Sequence, residues 1–289
     1  MKTRIISALV GTVVLLVVLF CPWAWVFTVA AAVAAAIAVY ELLHNTGIVK
    51  NKTLLFGSMA FAVLELLAVS RAVERSNHEY MLNPPLALLF AILDALPVLL
   101  LVLYGLFVLV TFLVHRQPSI WKGFALTLYV TLGFLALAAL RDDPQFGLAY
   151  CLLPLVIAWM SDTGAYFTGV FFGKHKMAPV ISPKKTWEGF FGGWIISIGL
   201  TAVYGLVCNA LINPSTTSPV DIGQFAVFAA VLAPLSVVGD LLASVIKRRC
   251  GIKDYGNIMP GHGGVMDRFD SVVFIAPLVY IVLISISVN

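Results

Sequence analysis

The feature that most constrains this chain is a succession of long apolar runs, at about 5–21, 24–43, 53–70, 86–114, 123–140, 146–172, 190–212, 224–246 and 271–288. Each is as long as a helix that crosses the roughly 30 Å hydrocarbon core of a bilayer, or nearly so. The connections are short, so the chain has no stretch left for a separate soluble domain. The composition agrees, with 61% hydrophobic residues, 11% charged residues and a mean hydropathy of +1.00. A soluble domain is closer to half apolar and a quarter charged. A transmembrane β-barrel is excluded as well, because the runs are continuous rather than alternating with period two. The expected fold is an all-α polytopic membrane protein of about nine transmembrane helices. The fourth run is about 29 residues long and contains Pro97, so it is expected to be tilted, kinked or broken in two.

Lys2 and Arg4 before the run Ile5 to Phe20 resemble a secretory signal. No small-x-small cleavage site follows, and Phe20 before Cys21 spoils a lipoprotein site, so an uncleaved first span is expected. Cys21, Cys151, Cys208 and Cys250 lie singly, without CxxC or metal-like spacing, and read as small apolar residues.

Positive charge sets the orientation. With the N-terminus inside, 15 of the 18 Lys and Arg residues fall on the cytoplasmic face, and only Arg71, Arg75 and Arg141 fall outside. The positive-inside rule therefore favours N-in and C-out. The net charge of +4 conceals a strongly basic inner surface, suited to anionic headgroups and polyphosphates.

Carboxylates are costly in hydrocarbon, so their depth is informative. Asp162 and Asp240 lie toward the cytoplasmic ends of their helices, and Asp267 and Asp270 open the last span on the same side. Asp267 and Asp270 are three residues apart and share a helix face. Like charges so close call for a cation between them or a proton on one of them. All-oxygen donors beside a phosphate-binding surface favour Mg2+, with a second cation as an option. Glu65 and Asp94 fall in the outer half, where a polar contact between helices is expected, for Glu65 with Arg71. Glu41 is read as an interfacial charge in preference to a peripheral member of the site.

The most informative segment is LLASVIKRRCGIKDYGNIMPGHGGVMDRFDS, residues 241–271. Lys247, Arg248, Arg249 and Lys253 follow a helix carrying Asp240 and Ser244 one turn apart. Pro260 to Gly264 then lead into the acidic helix start. Glycines let backbone amides approach an anion, a following helix N-terminus adds a favourable dipole, and the cations neutralise a polyphosphate. A tight glycine turn with basic flanks is the plainer explanation of the turn alone. Its combination with DRFD and the basic run points to chemistry. His262 is a candidate to bind phosphate or move a proton.

The pattern Ser244, Lys247, Arg248, Lys253, Asp254, Pro260 to Gly264, Asp267, Arg268 and Asp270 resembles the signature of the phosphatidate cytidylyltransferases, or CDP-diacylglycerol synthases. A second stretch resembles the family's other inner-face motif: Ser161 to Tyr166, Gly173 to Lys176, and Ser182-Pro183-Lys184-Lys185-Thr186-Trp187-Glu188-Gly189. Together they cover most of residues 159–271, and the N-terminal spans resemble the family only in length and hydropathy. Tyr255 stands where a smaller residue is expected in bacterial members.

The resemblance implies CTP plus phosphatidate giving CDP-diacylglycerol and pyrophosphate, with a divalent metal, on the cytoplasmic side of a bacterial inner membrane. It also implies a homodimer. Direct in-line attack needs positioning and charge neutralisation but no protein nucleophile, which fits the lack of a Ser-His-Asp or reactive-cysteine pattern. The expected metal ligands are Asp240 and Asp267, with Asp270 and Asp162 as further ligands or their supports. Lys247, Arg248 and Lys253 are the expected phosphate partners, with Asp254, His262 and Arg268 alongside. Ser244, Gly263 and Gly264 join Ser182, Lys184, Lys185 and Thr186 as expected substrate contacts. The plainer reading of Thr186 is a cap on the next helix, with Glu188 completing it. Residues 1–145 are expected to be scaffold with possible dimer contacts, and 146–289 the catalytic region.

Two other functions are consistent with the residues. A CTP-dependent kinase of a polyprenol-type lipid alcohol also needs acids and cations at the inner face. A cation transporter would use Asp162, Asp240 and Glu65 as a path, but the acids gather on one face and no inverted repeat is evident. No nucleic-acid partner is expected, and no Walker A loop is present.

Overall fold

The computed structural model describes residues 2–76, 95–143, 146–212, 219–261 and 263–287. Among these, nine α-helices carry the chain: α1 (Lys2–Leu19), α2 (Ala24–Tyr40), α3 (Lys52–Ser76), α4 (Leu96–His115), α5 (Ser119–Arg141), α6 (Gly147–Phe172), α7 (Trp187–Val207), α8 (Ile222–Arg249) and α9 (Met266–Ser287). Seven of the described helices are long and apolar enough to cross a membrane. α1 and α9 are not among the seven, and α9 opens on Asp267, Arg268 and Asp270. The all-α polytopic architecture follows from the apolar runs, which satisfy their backbone within each helix.

The chain forms two compact units, one of Met1–Pro144 with Cys250–Arg268, the other of Gln145–Arg249 with Phe269–Asn289. In the first unit the glycine-rich segment after α8 packs with the N-terminal helices.

In the first unit α2 packs against α3 and α5, and its small residues make this close approach possible: Ala31, Ala32, Ala35 and Ala38 are all buried. The hydroxyls of Thr28 and Ser70 meet at 3.1 Å, and Ser70 donates to the Asp142 carboxylate at 2.9 Å. Arg141 donates to the Cys21 carbonyl at 3.1 Å. These contacts bring the ends of α1, α3 and α5 to one side, as an alternating up-down chain requires. Pro97 lies in the first turn of α4, where its missing N–H costs nothing, so it starts a helix and does not kink one. The earlier part of that apolar run, with Asp94, lies outside the described residues. Glu65 is buried in α3, and its Oε2 finds no hydrogen-bond donor among the described residues. The side chain of Arg71, its expected partner, is outside the described ones.

In the second unit α6 and α7 pack together through small residues. Gly189 and Gly193 of α7 face Ala165 and Ser161 of α6, and a Cβ on Gly193 would lie 2.8 Å from that of Ala165. Thr168 Oγ1 bonds its own helix at Gly164 O (2.7 Å) and reaches Gly189 O of α7 at 3.3 Å. Polar anchors extend the seam, from Ser197 to Ile157 O at 3.0 Å and from Tyr204 to Ala149 O at 2.9 Å. α8 packs on α7 and α6, with Trp194 Nε1 donating to Ala230 O at 2.8 Å. Between α6 and α7 the chain forms an antiparallel hairpin, β1 (Lys176–Ala178) and β2 (Ser182–Thr186), where the sequence reading has only a basic loop.

Candidate active site

The second unit gathers several of the charged residues expected to do chemistry. Asp162 comes from α6, ten residues before its end at Phe172, and Asp240 from α8, nine before Arg249. Asp270 lies in the opening turns of α9, and Lys185 on β2 just before α7. Lys185 is in direct ionic contact with the Asp240 carboxylate. Ser244, one turn along α8, bonds Asp240 Oδ1 at 3.5 Å. Lys247 reaches Asp270 at 3.8 Å, and both side chains are only 11% exposed. Asp162 lies within electrostatic range of Lys185 and Asp240, and Asp270 within range of Asp240, Lys247 and Asp162. α8 and α9 can approach here because Gly239 precedes Asp240. A Cβ at Gly239 would lie 2.7 Å from Phe274 Cβ and 3.3 Å from the Asp270 carbonyl oxygen.

Three carboxylates against two ammoniums carry a formal charge of −1 in a largely buried cluster. Such a cluster is stable only while its charges are paired, and it can exchange those pairs for a cation and an anionic ligand. The donors are hard carboxylate oxygens with a neighbouring hydroxyl, the chemistry that suits Mg2+. Among the described residues no three acids, cysteines or histidines already stand in ligating geometry. That is compatible with Mg2+, which takes one or two protein carboxylates and completes its shell with water and phosphate oxygens. By donor type the residues therefore fit the ion.

The hairpin meets this region at two points, Lys185 being one of them. Arg248 Nε donates to Ile181 O at 3.3 Å, tying the end of α8 to the hairpin turn. Ser182 is half-buried opposite Ala178, and Lys184 is exposed. Thr186 is the N-cap of α7, its Oγ1 accepting from Gly189 N at 3.2 Å, so the capping reading holds for this residue. Glu188 does not complete that cap. It stands one position too early for a capping box, whose acid lies three residues after the cap. Its carboxylate instead accepts from the amides of Lys174 (3.1 Å) and His175 (3.2 Å) and contacts His175 Nδ1 at 2.6 Å. Glu188 thus straps the loop after α6 onto the start of α7.

The glycine-rich turn belongs to the first unit. Met259 N donates to Gly263 O at 3.0 Å, closing a turn in which Gly263 has φ +85°. A side chain there would be strained, and its Cβ would lie 2.9 Å from Asp267 Oδ2. Asp267 Oδ2 accepts two backbone amides, from Tyr255 at 2.7 Å and Gly264 at 3.0 Å. Lys253, Asp254 and Arg268 are exposed, and His262 lies outside the described residues. Tyr255 is 1% exposed, and its carbonyl accepts from Asn45 Nδ2 at 2.7 Å.

Glu41 overturns its sequence reading as an interfacial charge. It is 1% exposed, and its two oxygens accept from Val265 N (3.1 Å) and Met266 N (2.9 Å), the amides that open α9. Helix starts leave such amides unpaired, and a carboxylate there is favoured by the helix dipole. Contacts separated by 224 and 225 residues leave no spacing to read. The available signal is a Glu and an Asn one turn apart at the end of an alanine-rich span.

Comparison with known proteins gives a family model, described as the cytidylyltransferase family, that matches residues 2–286. The chain is 43% identical to a phosphatidate cytidylyltransferase of Staphylococcus epidermidis over 157 residues, 54% of this chain and 56% of that one. A Bacillus subtilis phosphatidate cytidylyltransferase is 37% identical over 186 residues, 64% and 65% of the two chains. A Staphylococcus aureus one is 41% identical over 159 residues, 54% and 56%. The chain thus spans between half and two thirds of the length of these curated relatives.

Proposed function

Because the chain belongs to the cytidylyltransferase family, we propose that it transfers the cytidylyl group of CTP to phosphatidate, giving CDP-diacylglycerol and pyrophosphate. The observation that carries this reading is the charged cluster of Asp162, Lys185, Asp240, Lys247 and Asp270 at the basic ends of its helices. On the proposed topology of nine spans, N-in and C-out, that level is the cytoplasmic headgroup region, where a membrane phosphomonoester can meet a soluble nucleotide. The lopsided distribution of Lys and Arg supports this orientation.

A phosphate oxygen of phosphatidate attacks the α-phosphorus of CTP, the new P–O bond forms, and the bond to the β-phosphate oxygen breaks as pyrophosphate leaves. The attacking group is already an anion, so no side chain has to act as nucleophile. The protein's task is to neutralise, align and exclude water. Lys185 and Lys247 exchange their carboxylate partners for phosphate oxygens, and Arg248 holds the hairpin beside them. Asp240 and Asp270 of the second unit, with Asp162 in support, are residues that would hold Mg2+, and Asp267 of the first unit is read as a metal-holding residue as well; the ion's chemistry would be to offset the charge on the phosphates. Release of Lys185 from Asp240 couples nucleotide entry to exposure of that carboxylate. The homodimer and the bacterial inner-membrane location complete the proposal.

The test is product analysis of the purified protein in detergent with CTP, phosphatidate and Mg2+. CDP-diacylglycerol and equimolar pyrophosphate are expected, lost on chelation and in Asp267→Asn while the protein remains monodisperse. Near-normal turnover of that variant overturns the role of Asp267. Release of CDP with a lipid alcohol as acceptor would establish the kinase reaction instead.

A further inference from the structure

We propose that the turn Glu41–Asn45 at the end of α2 is the device that positions Asp267, with Glu41 as its principal positioning residue. This rests on the reading of Asp267 as a metal-holding residue. The five residues form a π-helical turn, a local departure from α geometry that is frequent where a helix serves a site. Asp267 Oδ2 is aimed by two amides, and the turn holds the segment that bears each of them. Asn45 grips the carbonyl of Tyr255, whose amide is the first donor to Asp267. Glu41 grips the amides of Val265 and Met266, directly after Gly264, whose amide is the second donor.

Three consecutive amides, Gly264, Val265 and Met266, are thus divided between two carboxylates. The packing leaves little freedom in this division. A Cβ at either Gly256 or Gly264 would strike the Glu41 carboxylate, so both glycines are required for its seat. Asp267 is the charged group that acts on Glu41 electrostatically, and Gly264, which lies against the Glu41 carboxylate, donates its amide to Asp267. A residue engaged only in helix packing would not need a buried charge here, since an unpaired one is costly. A carboxylate that supports a metal-holding carboxylate is a familiar requirement, and its loss typically costs about tenfold to a hundredfold in metal affinity or activity.

The experiment uses the full chain in detergent and compares wild type, Glu41→Gln, Asn45→Ala and Asp267→Asn. Mn2+ binding is read by electron paramagnetic resonance, and turnover is followed against Mg2+ and against each substrate. Glu41→Gln keeps the shape of the side chain but offers an amide N–H where an acceptor is needed. It should weaken Mn2+ binding and raise the half-saturating Mg2+ by about tenfold or more. The KM for phosphatidate should change less than twofold. Asn45→Ala, at an exposed position, should shift both metal readouts in the same direction by a smaller factor. Wild-type metal dependence in Glu41→Gln overturns the proposal. So does a misfolded Glu41→Gln together with an unshifted Asn45→Ala, which would make the turn a packing element alone. Unaltered Mn2+ binding and turnover in Asp267→Asn would instead refute the underlying reading of the site.

Discussion

Replacing Lys247 with methionine tests whether the acidic cluster depends on its internal cations. The ammonium lies 3.8 Å from Asp270, and both side chains are 11% exposed. At an effective dielectric constant of about 20, two unit charges at that separation attract by about 4 kcal/mol. Lys247→Met keeps much of the apolar stem but takes the cluster from a formal charge of −1 to −2. Removing one member of a buried pair typically costs about 3–5 kcal/mol, because the other is left uncompensated. Asp270→Asn should cost less, since it also removes repulsion from Asp240 and Asp162. The double variant should recover most of the loss, with a coupling energy of about 2–3 kcal/mol. The assay is thermal and denaturant unfolding of all four proteins in one detergent, with turnover measured in parallel. The double variant is expected to be stable and inactive. Strict additivity, or a Lys247→Met protein as stable as wild type, refutes the electrostatic account. A stable and active double variant refutes the place of both residues in the chemistry.

Other expectations follow from particular contacts. Gly193→Val drives methyl groups into Ala165 and the Ser161 carbonyl, and should destabilise the α6–α7 pair by about 1–3 kcal/mol, visible as a lower Tm. Thr186→Ala removes the N-cap of α7 and should cost about 1 kcal/mol, which Thr186→Ser restores; an unchanged Tm would refute the cap. Lys185→Met leaves Asp240 without its ion partner and should raise KM for CTP more than for phosphatidate; an effect confined to the lipid would move Lys185 to the headgroup.

The apolar runs announce most of the helices because the bilayer imposes a length and a composition on every span, and both are local. The acids are legible for a related reason. Asp162, Asp240 and Asp270 stand out as ionisable residues within otherwise apolar helices, and their distance from the basic loops gives their depth. The hairpin of Lys176–Ala178 and Ser182–Thr186 was not legible, since short strands rich in Lys and Pro have no pattern that separates them from a loop. Glu188 was half legible. It looks like part of a cap, but a one-residue offset sends its carboxylate back to Lys174 and His175.

By itself the sequence determined the helical membrane architecture and the inventory of acids, cations and glycines, because each depends on residue type and near neighbours. Only the tertiary structure decided who pairs with whom. Lys185 meets Asp240 because the hairpin carries its ammonium to the α8 carboxylate, and Lys247 meets Asp270 because Gly239 lets α9 come close. Glu41 holds the start of α9 across more than 220 residues of chain. A buried charge must find its partner in space, and burial is a property of the packed molecule, so sequence spacing carries no record of the match.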